Sequence, residues 1–263
     1  SNISENLVFK ELRSWQIAAD SPAYPVVATY TSATSVPGIS LTLTKPSGVQ
    51  TGDLLLILVG NDDNTDTAQW DNTTYKPAGF TLINESGDAT CDTHTGAFYR
   101  IADGTEGATT SVSATSSNDY WGFYILVTGA NTTNPINVIG VDVNTAASVL
   151  SIAITGVNTT VNDSLAFYVH SFDGGDGDPF TVSDTGWSKT AEIEAGTAGT
   201  NAGGSWGTKQ QATAGNTATA TVDAAVTDGH AGFQFAIAPS LTFLTQRSFV
   251  WQNDDGDPNC NPL

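Results

Sequence analysis

The chain has 263 residues and a formal net charge of −19, with 8 Lys and Arg residues against 27 Asp and Glu residues. This shortage of cations excludes a nucleic-acid binder or a binder of anionic membranes that works by charge, because both partners require basic side chains near their phosphate groups. Hydrophobic residues make up 39% of the chain and no apolar run approaches the length of a membrane span, so we predict a folded, soluble protein without membrane insertion.

Short runs rich in Val, Ile, Thr, Phe and Tyr alternate with clusters of Gly, Pro, Asn and Asp, which predicts an all-β fold. Residues 7–15 are the only segment where a short helix competes with a strand. Strands joined by turns rather than by helices favour an antiparallel sandwich. The predicted strands are residues 40–44, 53–60, 81–86, 94–101, 109–114, 120–128, 149–154, 164–171, 189–194, 205–211, 217–222 and 232–238.

The order of features in the first half of the chain recurs in the second half. Asp53 and Asp163 each precede a buried strand, Phe80 and Trp187 each follow a glycine at a corner, and a glycine lies in each last aromatic strand. The preserved order predicts two internally similar halves that share one core, since neither half could bury its apolar face alone. The side chains predicted inside are Leu54, Leu56, Leu58, Phe98, Tyr124, Leu126, Leu165, Phe167, Phe233 and Phe235.

We therefore divide the chain into three parts. Residues 1–28 form an N-terminal segment, predicted as an edge or exchanged strand, and residues 240–263 form a C-terminal strand with an acidic tail. The sandwich domain lies between them, over residues 29–239, with its halves at about 40–140 and 141–239. The absence of Met predicts a processed chain, and removal of an initiator Met or of a secretion signal explains it equally well.

Four ordered motifs resemble a known family: residues 48–59 (GVQTGDLLLILV), 79–83 (GFTLI), 98–107 (FYRIADGTEG) and 128–136 (TGANTTNPI). They are similar to jelly-roll-like β-sandwich modules of tailed-phage virion proteins and large bacterial surface proteins. The resemblance implies a structural or attachment role on a particle or cell surface, and it brings no catalytic residues. Residues 246–257 are similar to stretches of repetitive bacterial surface proteins, which favours an extracellular fibre.

The sequence offers no catalytic motif. His94, His170 and His230 lie in separate predicted elements, and none is accompanied by a nucleophile motif, a metalloprotease motif or a phosphate loop. We therefore expect structural roles for the three histidines and predict that the protein is not an enzyme.

Three acidic turns are candidate Ca²⁺ sites, because they place oxygen ligands at short spacing on Gly-containing loops, although Asp and Gly are also ordinary turn residues. Asp173, Asp176 and Asp178 lie in the strongest of these turns. The others contribute Asp62, Asp63, Asp66, Asp255 and Asp257.

Two tryptophans and two cysteines are the remaining candidates. Trp70 and Trp206 lie in polar or Gly-rich surroundings, so we expect them to be exposed and able to stack on a sugar. Cys91 and Cys260 form either one long-range disulfide or two buried thiols.

Two functions follow from these observations. The first is a non-enzymatic structural subunit of an extracellular assembly, a phage decoration or tail protein or a surface filament, which binds itself or other virion or surface proteins. The second is a carbohydrate-binding adhesin that binds glycans as a monomer.

Overall fold

The structure is a computed structural model that describes residues 24–62, 70, 74–88, 90–174, 179–196 and 201–240, apart from the side chains of residues 114–117 and 146–148. The described residues form an all-β fold without a helix, and so contain none that could span a membrane. The strands are β1 (Val26–Thr44), β2 (Leu54–Asp62), β3 (Thr81–Asp88), β4 (Thr93–Ile101), β5 (Thr109–Thr128), β6 (Ile136–Ile139), β7 (Val143–Ile154), β8 (Ser164–Asp173), β9 (Thr181–Val182), β10 (Ser188–Ala195), β11 (Ala202–Gln211) and β12 (Ala220–Ile237).

Two antiparallel sheets pack face to face as a β-sandwich. Sheet 1 has the strand order β1-β5-β2-β4-β3, and sheet 2 has the order β10-β11-β8-β12-β6, with β7 and β9 also paired to β12. Each sheet is thus formed by one part of the chain. The predicted all-β sandwich is confirmed, and the jelly-roll connectivity stays a prediction.

The two sheets repeat the same strand order, which confirms the predicted internal similarity. In each sheet a central strand, β2 or β8, lies between a long strand, β5 or β12, and a hairpin, β3–β4 or β10–β11. The predicted boundaries are wrong by a few residues. β1 begins at Val26, inside the predicted N-terminal segment, and β6 belongs to sheet 2 although residues 136–139 were assigned to the first half.

Each sheet is covered on its outer face by its own long strands, which bend back over it. The register of β1 with β5 shifts around Gly38, and the Thr31 hydroxyl donates a hydrogen bond to the Thr44 carbonyl of the same strand. Leu41 and Leu43 thereby cover the outer face of sheet 1. In sheet 2, Ile154 of β7 lies against Gly232 in the same way.

This layering produces three apolar clusters instead of the single predicted core. All ten predicted core side chains are buried. Seven lie between the sheets, whereas Phe98, Tyr124 and Leu126 belong to a second cluster on the outer face of sheet 1. A third cluster covers the outer face of sheet 2. Because β2 and β8 are buried on both faces, they are apolar at successive positions and do not alternate.

The sandwich has two different ends. At the terminal pole, β1 starts at Val26 opposite Thr128, and the amide of Ser240 donates to the carbonyl of Gly129. At the acidic pole, β2 ends at Asp62 and β8 ends at Asp173. Both ends of the described chain therefore lie at the pole opposite Asp62 and Asp173.

Candidate functional site

Four carboxylates meet at the acidic pole. Asp62 ends β2, Asp173 ends β8, Asp92 lies in the turn before β4, and Asp228 lies in an irregular part of β12. Burial, and then the negative charges of Asp62, Asp228 and Asp92, raise the pKa of Asp173 to about 8. Asp173 is therefore largely protonated at neutral pH, which limits the repulsion within the cluster.

The internal repeat explains why these residues meet. β2 and β8 are equivalent central strands, so their last residues, Asp62 and Asp173, lie at the same end of the sandwich. The sequence predicted Asp62 and Asp173 as parts of separate Ca²⁺ loops. Asp92 and Asp228 were not predicted, because neither lies in a run of acidic residues.

Ca²⁺ binding by the three acidic turns stays a prediction. Among the described residues, no group of three or more His, Cys, Asp or Glu side chains has an arrangement that could hold a metal ion. The other predicted ligands lie outside the described residues: Asp63, Asp66, Asp176, Asp178, Asp255 and Asp257.

A chain of hydrogen bonds through two buried histidines lies beside the carboxylates. His170 Nε2 and His230 Nδ1 are 2.9 Å apart, and His230 Nε2 is 3.2 Å from the carbonyl of Val149. Because a carbonyl only accepts, His230 Nε2 carries the proton and neutral His230 accepts at Nδ1. His170 then donates from Nε2 and accepts at Nδ1 from the Ser205 hydroxyl, at 3.2 Å.

Both histidines are held neutral. Burial and then the neighbouring His230 hold the pKa of His170 well below its usual range, and burial also lowers the pKa of His230. Ser205 and both rings are fully buried, so this chain has no access for a substrate. It joins β11, β8 and β12 to the covering strand β7.

A second polar link joins the two sheets at the same pole. The hydroxyls of Thr93 and Ser171 are 2.8 Å apart, and Trp121 Nε1 donates to Ser171 Oγ at 3.1 Å. The Trp121 ring, from sheet 1, lies directly on Gly204 of sheet 2, where any side chain would collide with it. This link fixes the spacing of the sheets beneath the carboxylates.

The exposure predicted for Trp70 and Trp206 is wrong, since both side chains are fully buried. Trp70 Nε1 donates to the carbonyl of Ser113 at 3.1 Å, and its ring packs on Gly96. Trp206 stacks on Phe167 between the sheets. Gly96 leaves room for the Trp70 ring, whereas the glycines beside Trp206 on β11 leave room for other rings, Gly204 for Trp121 and Gly207 for Tyr168. The Gly-rich surroundings that suggested exposure therefore accompany close packing.

Whether Cys91 and Cys260 form a disulfide or remain two thiols stays a prediction. Cys91 is buried, and its Sγ lies 3.2 Å from the carbonyl of Thr93. Cys260 lies outside the described residues.

An open groove lies at the opposite end of the molecule, beneath the first residues of β1. Its volume is about 580 Å³. The walls are formed by residues 25–30 and by side chains of β10 and β11, with Leu165 of β8. Tyr30 packs edge-on against Phe123 and Trp206 at its inner side. The groove was not predicted, because residues 29–39 lie outside every predicted strand.

A smaller polar pocket of about 440 Å³ lies on the outer face of sheet 1. Arg100 lines it and is held by Asp103 at 2.8 Å and by Glu106 at 3.5 Å. Phe80 and Tyr124 also line it but are almost fully buried. The pocket therefore offers polar groups without an exposed aromatic ring.

No protein family, curated protein or solved structure matches this chain.

Proposed function

We propose that the protein is a non-enzymatic structural subunit of an extracellular assembly, a phage decoration or tail protein or a surface filament, and that it assembles through strand and sandwich contacts. The family resemblance of the sequence motifs suggests this setting. The physical argument comes from the edge of sheet 1.

The observation that carries the proposal is the uncharged edge strand β1. Among the described residues, β1 pairs with β5 alone, and its 19 residues include no Asp, Glu, Lys or Arg. Exposed apolar side chains lie along it, including Val36 and Ile39. Soluble proteins protect exposed edges with charges, because an open row of backbone groups is a template for another strand.

Two of the other outer strands follow that rule. β3 carries Glu85 and Asp88, and β10 carries Lys189, Glu192 and Glu194. β6 and β7 carry no charge either, but their side of the sandwich faces β3, where Ser86 Oγ bonds to Asn144 Oδ1 at 2.8 Å. An unprotected β1 in a chain with a net charge of −19 favours directed pairing over nonspecific association.

The test is the assembly state of the full chain. Light scattering over a wide concentration range, with negative-stain imaging of the same samples, should give regular multimers of increasing size. A strict monomer at high concentration would contradict the proposal.

The adhesin is the second candidate, and the polar pocket beside Arg100 is the observation that favours it. Sugar binding commonly uses an exposed aromatic face, and Phe80 and Tyr124 are buried, so the structural subunit is the better supported proposal. If the monomer bound to a glycan array and Arg100→Ala abolished that binding, the adhesin would become the better supported function.

A further inference from the structure

The inner face of β1 extends beyond the sheet that should cover it. Tyr30 lies opposite Ile125 and Ser32 lies opposite Phe123, and both partners are buried between the sheets. Tyr30 is nevertheless 39% exposed, and Ser32 is also exposed. The groove beneath Tyr30 is therefore space between two sheets that the described residues do not fill.

The equivalent side of the sandwich is closed. There, Asn84 Nδ2 donates to Asp142 Oδ1 at 2.5 Å, and Ser86 bonds to the segment at the start of β7. The internal repeat makes β3 and β10 equivalent strands, so the same architecture is closed beside β3 and open beside β10. This difference indicates that the open side is completed by another segment.

Residues 241–251 (LTFLTQRSFVW) have the composition and length for this role. They are β-prone, their charged residue is Arg247, and they contain no acidic residue in a chain of net charge −19. Residues 26–35 form the straight part of β1 that pairs with the end of β5, and the two segments are of nearly equal length. Residues 7–15 suit the uncharged strand less well, because they carry Lys10, Glu11 and Arg13.

The direction of the strands decides which copy supplies the segment. All ladders of both sheets are antiparallel, and β1 runs from the terminal pole to the acidic pole. Residue 241 follows Ser240 at the terminal pole, so the chain's own segment could lie along β1 only in the parallel direction. A parallel pair is slightly less stable per residue than an antiparallel pair, and every strand pair among the described residues is antiparallel.

We infer that residues 241–251 of a second copy pair antiparallel with β1 and fill the groove between β1 and β10, with the terminal pole of that copy at the acidic pole of the first. This rests on the proposed function of a self-assembling subunit. Donor and acceptor then lie at different places on each copy, so the contact does not close on itself. Repetition of such a contact gives a filament or a ring.

Charges on the acceptor strand test the site. Val26→Lys with Ser32→Lys places two cations on β1, and we expect the concentration needed for assembly to rise more than roughly ten-fold. Val141→Lys is the matched control, since Val141 is 64% exposed but lies at the closed side, and it should assemble as the native protein does. Equal melting temperatures for the two variants would show that both are folded.

Charges on the donor test the segment. Phe243→Asp with Phe249→Asp should weaken assembly as strongly as the two lysines on β1. If the lysines abolish assembly and the aspartates do not, the donor is another segment, such as residues 7–15, and the inference is wrong while the proposed function stands. Assembly that survives both pairs of substitutions also contradicts the inference and leaves the proposed function standing. A monomeric native chain contradicts both the inference and the proposed function.

Crosslinking identifies the copy that supplies the segment. Full chains carrying Ser32→Cys or Thr245→Cys, each with Cys260→Ser, are co-expressed with different tags and treated with a short bismaleimide. A covalent pair that carries both tags is expected. A link within one chain that carries both cysteines, without a link between chains, would overturn the exchange.

Discussion

At the scale of single residues, the buried histidine chain should make stability sensitive to acid. In the unfolded chain both histidines bind protons below about pH 6.5, while burial keeps His170 and His230 neutral in the fold. The free energy of unfolding therefore falls as the pH drops below 6.5. Each histidine contributes a slope of about 1.4 kcal/mol per pH unit until its lowered folded-state pKa is reached.

Substitution of both histidines tests this prediction. His170→Gln with His230→Gln removes both titrating groups, so the variant should lose stability at pH 7.5 but show a shallower decline towards pH 5. Urea unfolding at several pH values measures both quantities. Parallel curves for the variant and the native protein would refute the assigned role.

Both glycines of the repeat should be intolerant of a side chain, Gly232 the more so because a Cβ there would also lie 2.8 Å from the carbonyl oxygen of Val169. A Cβ at Gly122 would lie 2.6 Å from Leu41 Cδ2, and one at Gly232 would lie 2.7 Å from Ile154 Cδ1. Each glycine lies in a long strand of a sheet, β5 or β12, and each contact is with the strand that covers the outer face of that sheet, β1 or β7. We expect Gly122→Ala and Gly232→Ala each to lower the free energy of unfolding by about 1–3 kcal/mol.

Gly203→Ala is the control for this pair, because its Cβ would come no closer than 3.1 Å to the Phe180 ring. Urea unfolding should give it the smallest loss of the three. A loss at Gly122 or Gly232 no larger than the loss at Gly203 would mean that the covering strand does not pack closely on that half.

At the scale of strands and loops, the acidic pole should respond to pH and to Ca²⁺. The pKa of Asp173 rises to about 8 in the fold from its usual 3.8, so its contribution to stability is retained at low pH and is lost as the pH rises from 4 to 8. Asp173→Asn should therefore stabilise the protein at pH 8 by roughly 1–2 kcal/mol, after allowance for partial exposure, and have little effect at pH 4.

Calcium provides the second measurement at this pole. If the carboxylates bind Ca²⁺, the native protein should melt several degrees higher with Ca²⁺ than with EDTA at pH 8, and Asp173→Asn should reduce the difference. Asp163→Asn makes the same chemical change at the terminal pole and should leave the difference intact. Equal melting temperatures with Ca²⁺ and EDTA would eliminate the metal prediction.

Sequence patterns identified most strands but missed the way in which long strands bend. Residues 109–114 and 120–128 were predicted as two strands and form one, β5, and residues 217–222 and 232–238 fall mostly in β12. The polar residues between them mark a bend over the sheet, not a turn that ends pairing. Residues 29–39 were missed, because Ser, Thr, Pro and Gly interrupt the apolar pattern of an edge strand.

The candidate site was predictable only in part for a similar reason. Asp62 and Asp173 stand in acidic runs, and the repeat placed them at equivalent strand ends, so the sequence could indicate them. Asp92, Asp228 and the pairing of His170 with His230 depend on register between distant strands, which local patterns do not contain. The open side of β1 depends on how far one sheet extends beyond the other.

At the scale of the whole molecule, the shared cluster between the sheets should make both halves unfold together. Leu56 and Phe123 from sheet 1 pack with Phe167 and Phe235 from sheet 2 in one buried cluster, and each outer cluster is attached to one of the same two sheets. Loss of either sheet would expose the inner face of the other to water. A half without its partner therefore has no complete core.

We therefore expect a single cooperative transition in which the amides of β2 and β8 exchange hydrogen with the same free energy of opening. Phe98→Ala, in the outer cluster of sheet 1, and Phe167→Ala, in the shared cluster, should each cost about 3–5 kcal/mol and lower protection in both strands. Hydrogen exchange read by mass spectrometry separates peptides from the two sheets. If Phe98→Ala lowers protection in β2 while β8 keeps its native value, the halves open independently, and the sandwich is two stable domains in contact.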